Sequence, residues 1–267
     1  MVARANNHAV EIKTDYSLAL TPFRDLPARR AIELASALGY RSVTLDATHP
    51  ELRARTLDRS ARRDLAAVLR RLELSIAGLD LWIPPSHFAE AAHADRAVGV
   101  VSETLAMARE LASLGGSSEG AVVSVLVDPG ADASVALELG ALAEAAGASI
   151  ADHARPPRDS KWNRYGVGID PAGVMMAGEA MQDAVLAAGA SLVCARLSDL
   201  SAAGRTEPGS PGARLDRAGY EATLSVVGYE RPVIVDLRQV PSAEEAAARL
   251  APAGSSGSGE GSASPGR

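Results

Sequence analysis

The chain has 267 residues, 47% hydrophobic and 22% charged, with a formal net charge of −6; these values fit a soluble globular protein with a large core. No apolar run approaches the ~20 residues of a membrane helix, and residues 1–13 lack the apolar centre of a signal peptide, so a cytoplasmic location is expected. Cys194 is the single cysteine, which excludes an internal disulfide and cysteine-based metal clusters, and the absence of a basic block argues against nucleic acid as a partner.

Residues 1–8 read as a loose start, and 9–13 alternate around Val10 and Ile12 as a first strand. Residues 27–38 place Ala31, Leu34, Ala35 and Leu38 at helical spacing, with Gly39 as the stop. A second strand, 42–45, leads to Asp46 and His49. Residues 60–72 form a helix with Leu65, Val68, Leu69 and Leu72 as its apolar stripe. The third strand, 74–83, carries Asp80 and Trp82 and stops at Pro84-Pro85; His87 and His93 follow in a solvated connection. The longest helix is 95–114, ended by Gly115-Gly116. The β-branched run 121–127 is strand four, 134–146 a helix, and 148–153 strand five. Residues 154–164 contain Pro156-Pro157 and no helical periodicity, so the helix after strand five is short or missing. Strand six is 165–169, a helical stretch covers 171–188, and strand seven is 192–197. Residues 202–213 are rich in Gly, Pro and Ser and read as a loop. A helix at 215–227, strand eight at 233–235 and a helix at 242–250 complete the pattern, with Ser242 and Glu245 in capping-box positions. Residues 251–267 are a disordered Gly/Ser/Pro-rich tail.

Eight strands alternating with helices over residues 1–250 predict one α/β domain, a (β/α)8 TIM barrel. Its chemistry then belongs at the C-terminal strand ends, and three of these end in aspartate: Asp170, Asp199 and Asp236. An open doubly wound sheet is the alternative, but no GxGxxG or Walker motif follows the first strand.

Four further segments carry a family resemblance. Leu38-Gly-Tyr-Arg-Ser-Val-Thr-Leu45, Gly168-Ile-Asp170-Pro171, Ala195-Arg-Leu-Ser-Asp199 and Gly209-Ser-Pro-Gly-Ala-Arg-Leu-Asp216 resemble, in order and spacing, the second strand, sixth strand, seventh strand and following loop of the xylose isomerase-like TIM barrels, the sugar phosphate isomerase/epimerase group. The resemblance implies isomerisation or epimerisation of a small sugar or sugar acid, with a divalent metal (Mn, Co, Zn or Mg) polarising the substrate oxygens and a carboxylate moving the proton.

Carried over residue by residue, the ligand set is degraded. The family's strand-five glutamate falls at Ala151 or Asp152, and its strand-six aspartate is Asp170. The partner histidine falls at Gly173, the strand-seven histidine at Arg196, and the strand-eight glutamate at Asp236. All five histidines, His8, His49, His87, His93 and His153, precede strand six. No retained metal is therefore expected, although Asp152, Asp170 and Asp236 could converge on Mg or could cap helices instead; Asp170-Pro171 in particular reads as an N-cap followed by proline at N1. Catalytic candidates are Asp152, Asp170, Asp236 and His153. Substrate-binding candidates are Arg196, Lys13, Trp82 and Asp46. Arg196 has two open readings, a cation replacing the metal between aspartates or a bidentate anion clamp. Trp82 likewise either stacks on a sugar or lids the core. Two functions remain open: a small-carbohydrate isomerase or epimerase, and a carbohydrate-binding relative without catalysis. The oligomeric state is open as well.

Overall fold

Period-two alternation divides each short strand into an outer and an inner set of side chains. Leu18, Val43, Leu79, Val123, Ile150 and Ile169 pack outward into the main core against the helices. Ala19, Val122, Ala151, Cys194 and Ile234 form a separate inner cluster. A computed structural model describes residues 14–117, 120–158 and 162–252. In it, eight parallel strands close into a barrel: β1 Tyr16–Ala19, β2 Ser42–Asp46, β3 Ser75–Asp80, β4 Val122–Val125, β5 Ser149–Asp152, β6 Tyr165–Ile169, β7 Leu192–Leu197 and, after a short hairpin, β10 Val233–Val235. The hairpin pairs β8, Asp199–Ser201, with β9, Gly204–Thr206, in antiparallel register.

Around the barrel run α1 Ala28–Ala37, α2 Arg59–Arg71, α3 Ala91–Leu114, α4 Ala133–Ala146, α5 Pro171–Met176, α6 Met181–Ala188, α7 Arg217–Val226 and α8 Ala243–Leu250. Asp58, Asp132 and Asp216 cap α2, α4 and α7 by accepting from backbone N–H groups of their first turns. Gly147, at φ 67°, ends α4 in the left-handed conformation that glycine adopts without a Cβ penalty. No helix among the described residues is long and apolar enough to cross a membrane.

The predicted barrel stands, with several boundaries moved. The first strand among the described residues is Tyr16–Ala19, in register with β2 and β10. Asp15 therefore precedes the strand, and residues 9–13, with Lys13, lie outside the described residues. Strand three ends at Asp80, so Trp82 sits beyond it, and α3 starts four residues earlier than expected, at Ala91. The stretch 171–188 is two helices broken at Gly178, whose φ is 76°. Ser242 adopts φ 53° and makes no cap bond, because a capping side chain needs an extended backbone at that position. The segment read as a loop after strand seven contains the β8–β9 hairpin. No helix occurs between β5 and β6 among the described residues, as expected. The predicted tail lies outside the described residues from 253 onward.

Candidate functional site

The inner face of the barrel is built from small residues. Ser17, Ala19, Thr44, Ser124 and Ala151 take the inward positions of their strands, and Gly168 does so on β6. This leaves room for one long side chain, and Arg196 fills it. Arg196 is 0% exposed and is the largest fully buried side chain of the described protein. A Cβ on Gly168 would run into the His153 imidazole, so glycine there is what lets the histidine lie across the barrel.

A guanidinium carries its charge at every accessible pH and cannot be buried alone. Arg196 meets Asp80 through both terminal nitrogens: Nη2 bonds to one carboxylate oxygen and Nη1 lies 3.4 Å from the other. Nη1 also donates to Asp236 at 3.1 Å, and Nη2 donates to the Ser124 hydroxyl at 3.1 Å. Tyr220 donates its hydroxyl to the Arg196 carbonyl at 2.9 Å and so fixes the backbone beneath the charge. Burial would lower the Arg196 pKa, but Asp80 and Asp236 override it and hold the cation well above its ordinary range.

Two more arginines close the mouth. Arg238 follows Asp236 by two residues and folds back on it, with Nη2 at 2.7 Å from Oδ2 and Nε at 3.0 Å. It also reaches Asp170 at 3.1 Å. Arg205, carried by β9, bonds to Asp170 and lies 3.9 Å from Asp236. The hairpin that carries it is anchored by buried Asp199, which accepts from the backbone of Arg214 at 2.8 Å and Leu215 at 2.9 Å. Burial would raise the Asp236 carboxyl pKa, but Arg238, Arg196 and Arg205 hold it well below the usual carboxylate range. Three carboxylates thus balance three guanidiniums.

Over this lattice lies Trp82, with the Arg238 guanidinium 4.0 Å and the Arg196 guanidinium 4.8 Å from its ring centre, both within cation–π range. His153 meets the same ring edge-on at 5.3 Å and lies 3.3 Å from the Ser124 hydroxyl. Burial, then the charges of Arg196 and Arg238, push the His153 pKa well down, so its imidazole is neutral at pH 7. Trp82, His153 and Arg238 line a cleft of about 320 Å³ with Arg155, Asp170 and Arg205. Three of its buried polar atoms have no hydrogen-bond partner among the described residues: Trp82 Nε1, Arg205 Nη1 and His153 Nδ1. A larger cavity, about 740 Å³, opens at the other end of the barrel against Val122, Cys194 and Ile234. It lies at the N-terminal strand ends, the stability face of such barrels, and apart from all the groups just described.

The candidate residues separate accordingly. Asp170, Asp236, Arg196, Trp82 and His153 come together. Asp152 does not join them: it shares the outward face of β5 with Ile150 and accepts from Val127 N, Ala154 N, the Tyr165 hydroxyl at 2.7 Å and Arg158 at 3.1 Å. Asp46 stands at the end of β2 and accepts from the Thr48 amide at 2.8 Å and from its hydroxyl, a local turn, while its Oδ2 has no protein partner. Lys13 lies outside the described residues. Asp170 occupies the N-cap position before Pro171 but makes no cap bond; its oxygens go to Ser198, Arg205 and Arg238 instead. Arg205 and Arg238 were not singled out from the sequence. For Arg238 a signal was present, since a cation two residues after a strand-end carboxylate can fold back on it; for Arg205 the hairpin hid it.

The donor set does not fit a divalent metal. Asp80, Asp170 and Asp236 are all bonded to guanidiniums, and a cation placed among them would face Arg196, Arg205 and Arg238 at close range. Among the described residues no group of three or more His, Cys, Asp or Glu is arranged to hold a metal ion.

No family model matches the chain, and no curated protein matches it in sequence. Solved structures do match. A xylose isomerase domain protein from Alicyclobacillus acidocaldarius superposes with a TM-score of 0.65 at 20% identity, over 90% of this chain and 95% of its own. The IOLI protein, solved with a bound zinc atom, gives 0.66 at 15% identity, over 88% and 94%. D-Psicose 3-epimerase from Clostridium cellulolyticum H10, solved with D-tagatose, gives 0.63 at 12% identity, over 86% and 85%. What the chain shares with these structures is the fold, a closed eight-stranded β/α barrel.

Proposed function

We propose that this barrel binds a small carbohydrate, a sugar or sugar acid, at its C-terminal mouth and performs no metal-assisted step there. One observation carries the reading. Arg196, wholly buried, bonds to Asp80 and Asp236, so the mouth carboxylates serve an internal cation. The cleft above supports a ligand rich in acceptors: Trp82 offers an aromatic face, and Trp82 Nε1 and Arg205 Nη1 are buried donors without hydrogen-bond partners among the described residues. Carbohydrate recognition on related barrels supports the substrate class, as with the epimerase solved with D-tagatose. Metal analysis of the purified chain, paired with a thermal-shift screen of sugars, sugar acids and sugar phosphates, tests it. The expected result is no stoichiometric metal and a melting shift with at least one sugar or sugar acid, since a ligand at ~100 times its Kd stabilises by about 2.7 kcal/mol. One equivalent of tightly bound Mn or Zn, or a screen without any shift, overturns it.

One observation favours a second reading, proton transfer without metal. His153 is a neutral imidazole beside the cleft with Nδ1 unpartnered, the state a general base needs. Deuterium uptake from solvent next to the carbonyl of a bound sugar, measured by NMR in the presence of chelator and lost in His153→Gln, would establish it. The absence of exchange leaves binding alone.

A further inference from the structure

A second concave surface lies on the flank of the barrel, between the loops that follow β2 and β3 and the first half of α3. It encloses about 350 Å³, the size of a small-molecule site. It shares no residue with the mouth cleft. Leu81, Ile83, Ala97 and Val100 give it an apolar side. Arg53, Arg55 and Arg96 give it a cationic one. Arg53 donates Nε to the Thr48 carbonyl at 3.1 Å, and none of the three arginines pairs with a carboxylate among the described residues. The contrast with adjacent α2 is direct, for Arg62 there is bonded to Glu110 at 2.6 Å. His87 and His93 stack at this groove with ring centres 4.8 Å apart and planes 15° apart, His93 staying exposed as expected and His87 half-buried. Glu103 is the one carboxylate in the lining, against three arginines.

Three guanidiniums without carboxylate partners line one apolar-sided groove beside a single glutamate, so the local charge balance is positive in a chain of net charge −6. We propose that the groove binds a small organic anion, with its carboxylate or phosphate head on Arg53, Arg55 and Arg96 and its apolar body against Leu81, Ile83 and Val100. Arginine suits such a head because its planar fork can engage two oxygens at once. Inorganic phosphate supplies the head without the body and phenol the body without the head, so both bind more weakly than a molecule combining them.

Phenyl phosphate is the probe, titrated into the full chain at low salt and followed by methyl NMR. The expected result is saturable shifts at the Leu81, Ile83 and Val100 methyls. The double variant Arg55→Glu/Arg96→Glu alters exposed side chains only and is expected to weaken binding about ten-fold or more, the loss of at least one charge-assisted contact. An unchanged melting temperature confirms that the variant is folded. Absence of saturable binding, binding undiminished by the double variant, or shifts centred on Trp82 and Val174 at the mouth would each overturn the proposal.

Discussion

Arg196→Met tests the architecture of the mouth most directly. Methionine keeps most of the length and removes the charge. Asp236 then retains Arg238, but Asp80, 0% exposed, keeps among the described residues only the hydroxyl of Thr21 at 3.0 Å. Breaking a buried pair from one side costs roughly 3–5 kcal/mol, because the partner charge stays buried. At about 2–4 °C per kcal/mol for a domain of this size, the melting temperature falls by roughly 6–20 °C. Adding Asp80→Asn removes the stranded charge, and the double variant is expected to recover about half or more of the loss. Urea unfolding at pH 7, with the slope checked for constancy, measures both. A single variant that loses less than about 1 kcal/mol, or a double variant worse than the single, would show that Arg196 is not the charge on which the mouth carboxylates depend.

Three other outcomes follow from named contacts. His153 is held neutral when folded, whereas the unfolded imidazole takes up a proton below about pH 6.5. Its contribution is therefore complete above about pH 6.5 and is lost as pH falls toward the folded pKa, at up to ~1.4 kcal/mol per pH unit; His153→Leu should remove that slope in urea titrations between pH 7 and 5, and equal slopes would refute it. Gly168→Ala drives a methyl into the His153 ring and should cost about 1–3 kcal/mol, with recovery in Gly168→Ala/His153→Ala measured by thermal melting. Asp152→Ala strands the Val127 and Ala154 amides at roughly 1–3 kcal/mol each, yet should leave the carbohydrate-induced thermal shift of the mouth intact; loss of that shift in a folded variant would return Asp152 to the site.

The barrel was legible because its signals are local. Runs such as residues 165–169 and 233–235 are apolar, short and bounded by polar residues, and the structure places strands at both. Tyr16–Ala19 was missed because four residues, two of them Ser and Ala, carry too little pattern to outweigh the clearer alternation just before them. The mouth was half legible. Asp170, Asp236 and Arg196 were found by position on their strands, but the pairing of Arg196 with Asp80 spans 116 residues of sequence and no local pattern encodes it. Asp152 shows the reverse case. Its neighbour Ala151 faces the inner cluster, so alternation alone sends Asp152 outward with Ile150, and the family alignment outweighed a physical signal already present in the sequence.

The balance of three carboxylates and three guanidiniums also limits how this mouth can change. Asp236 is held by Arg196, Arg205 and Arg238, and Asp170 by the last two. Freeing a set of oxygens for a metal requires neutralising cations on β7, on the hairpin and beyond β10. Any one replacement leaves buried negative charge without its partner while the remaining arginines still repel an incoming ion. Each first step toward a metal centre is thus a loss of stability with no gain in affinity. Such epistasis makes the path one-way: a directed-evolution experiment selecting for metal-dependent activity has to cross a valley of at least two simultaneous substitutions.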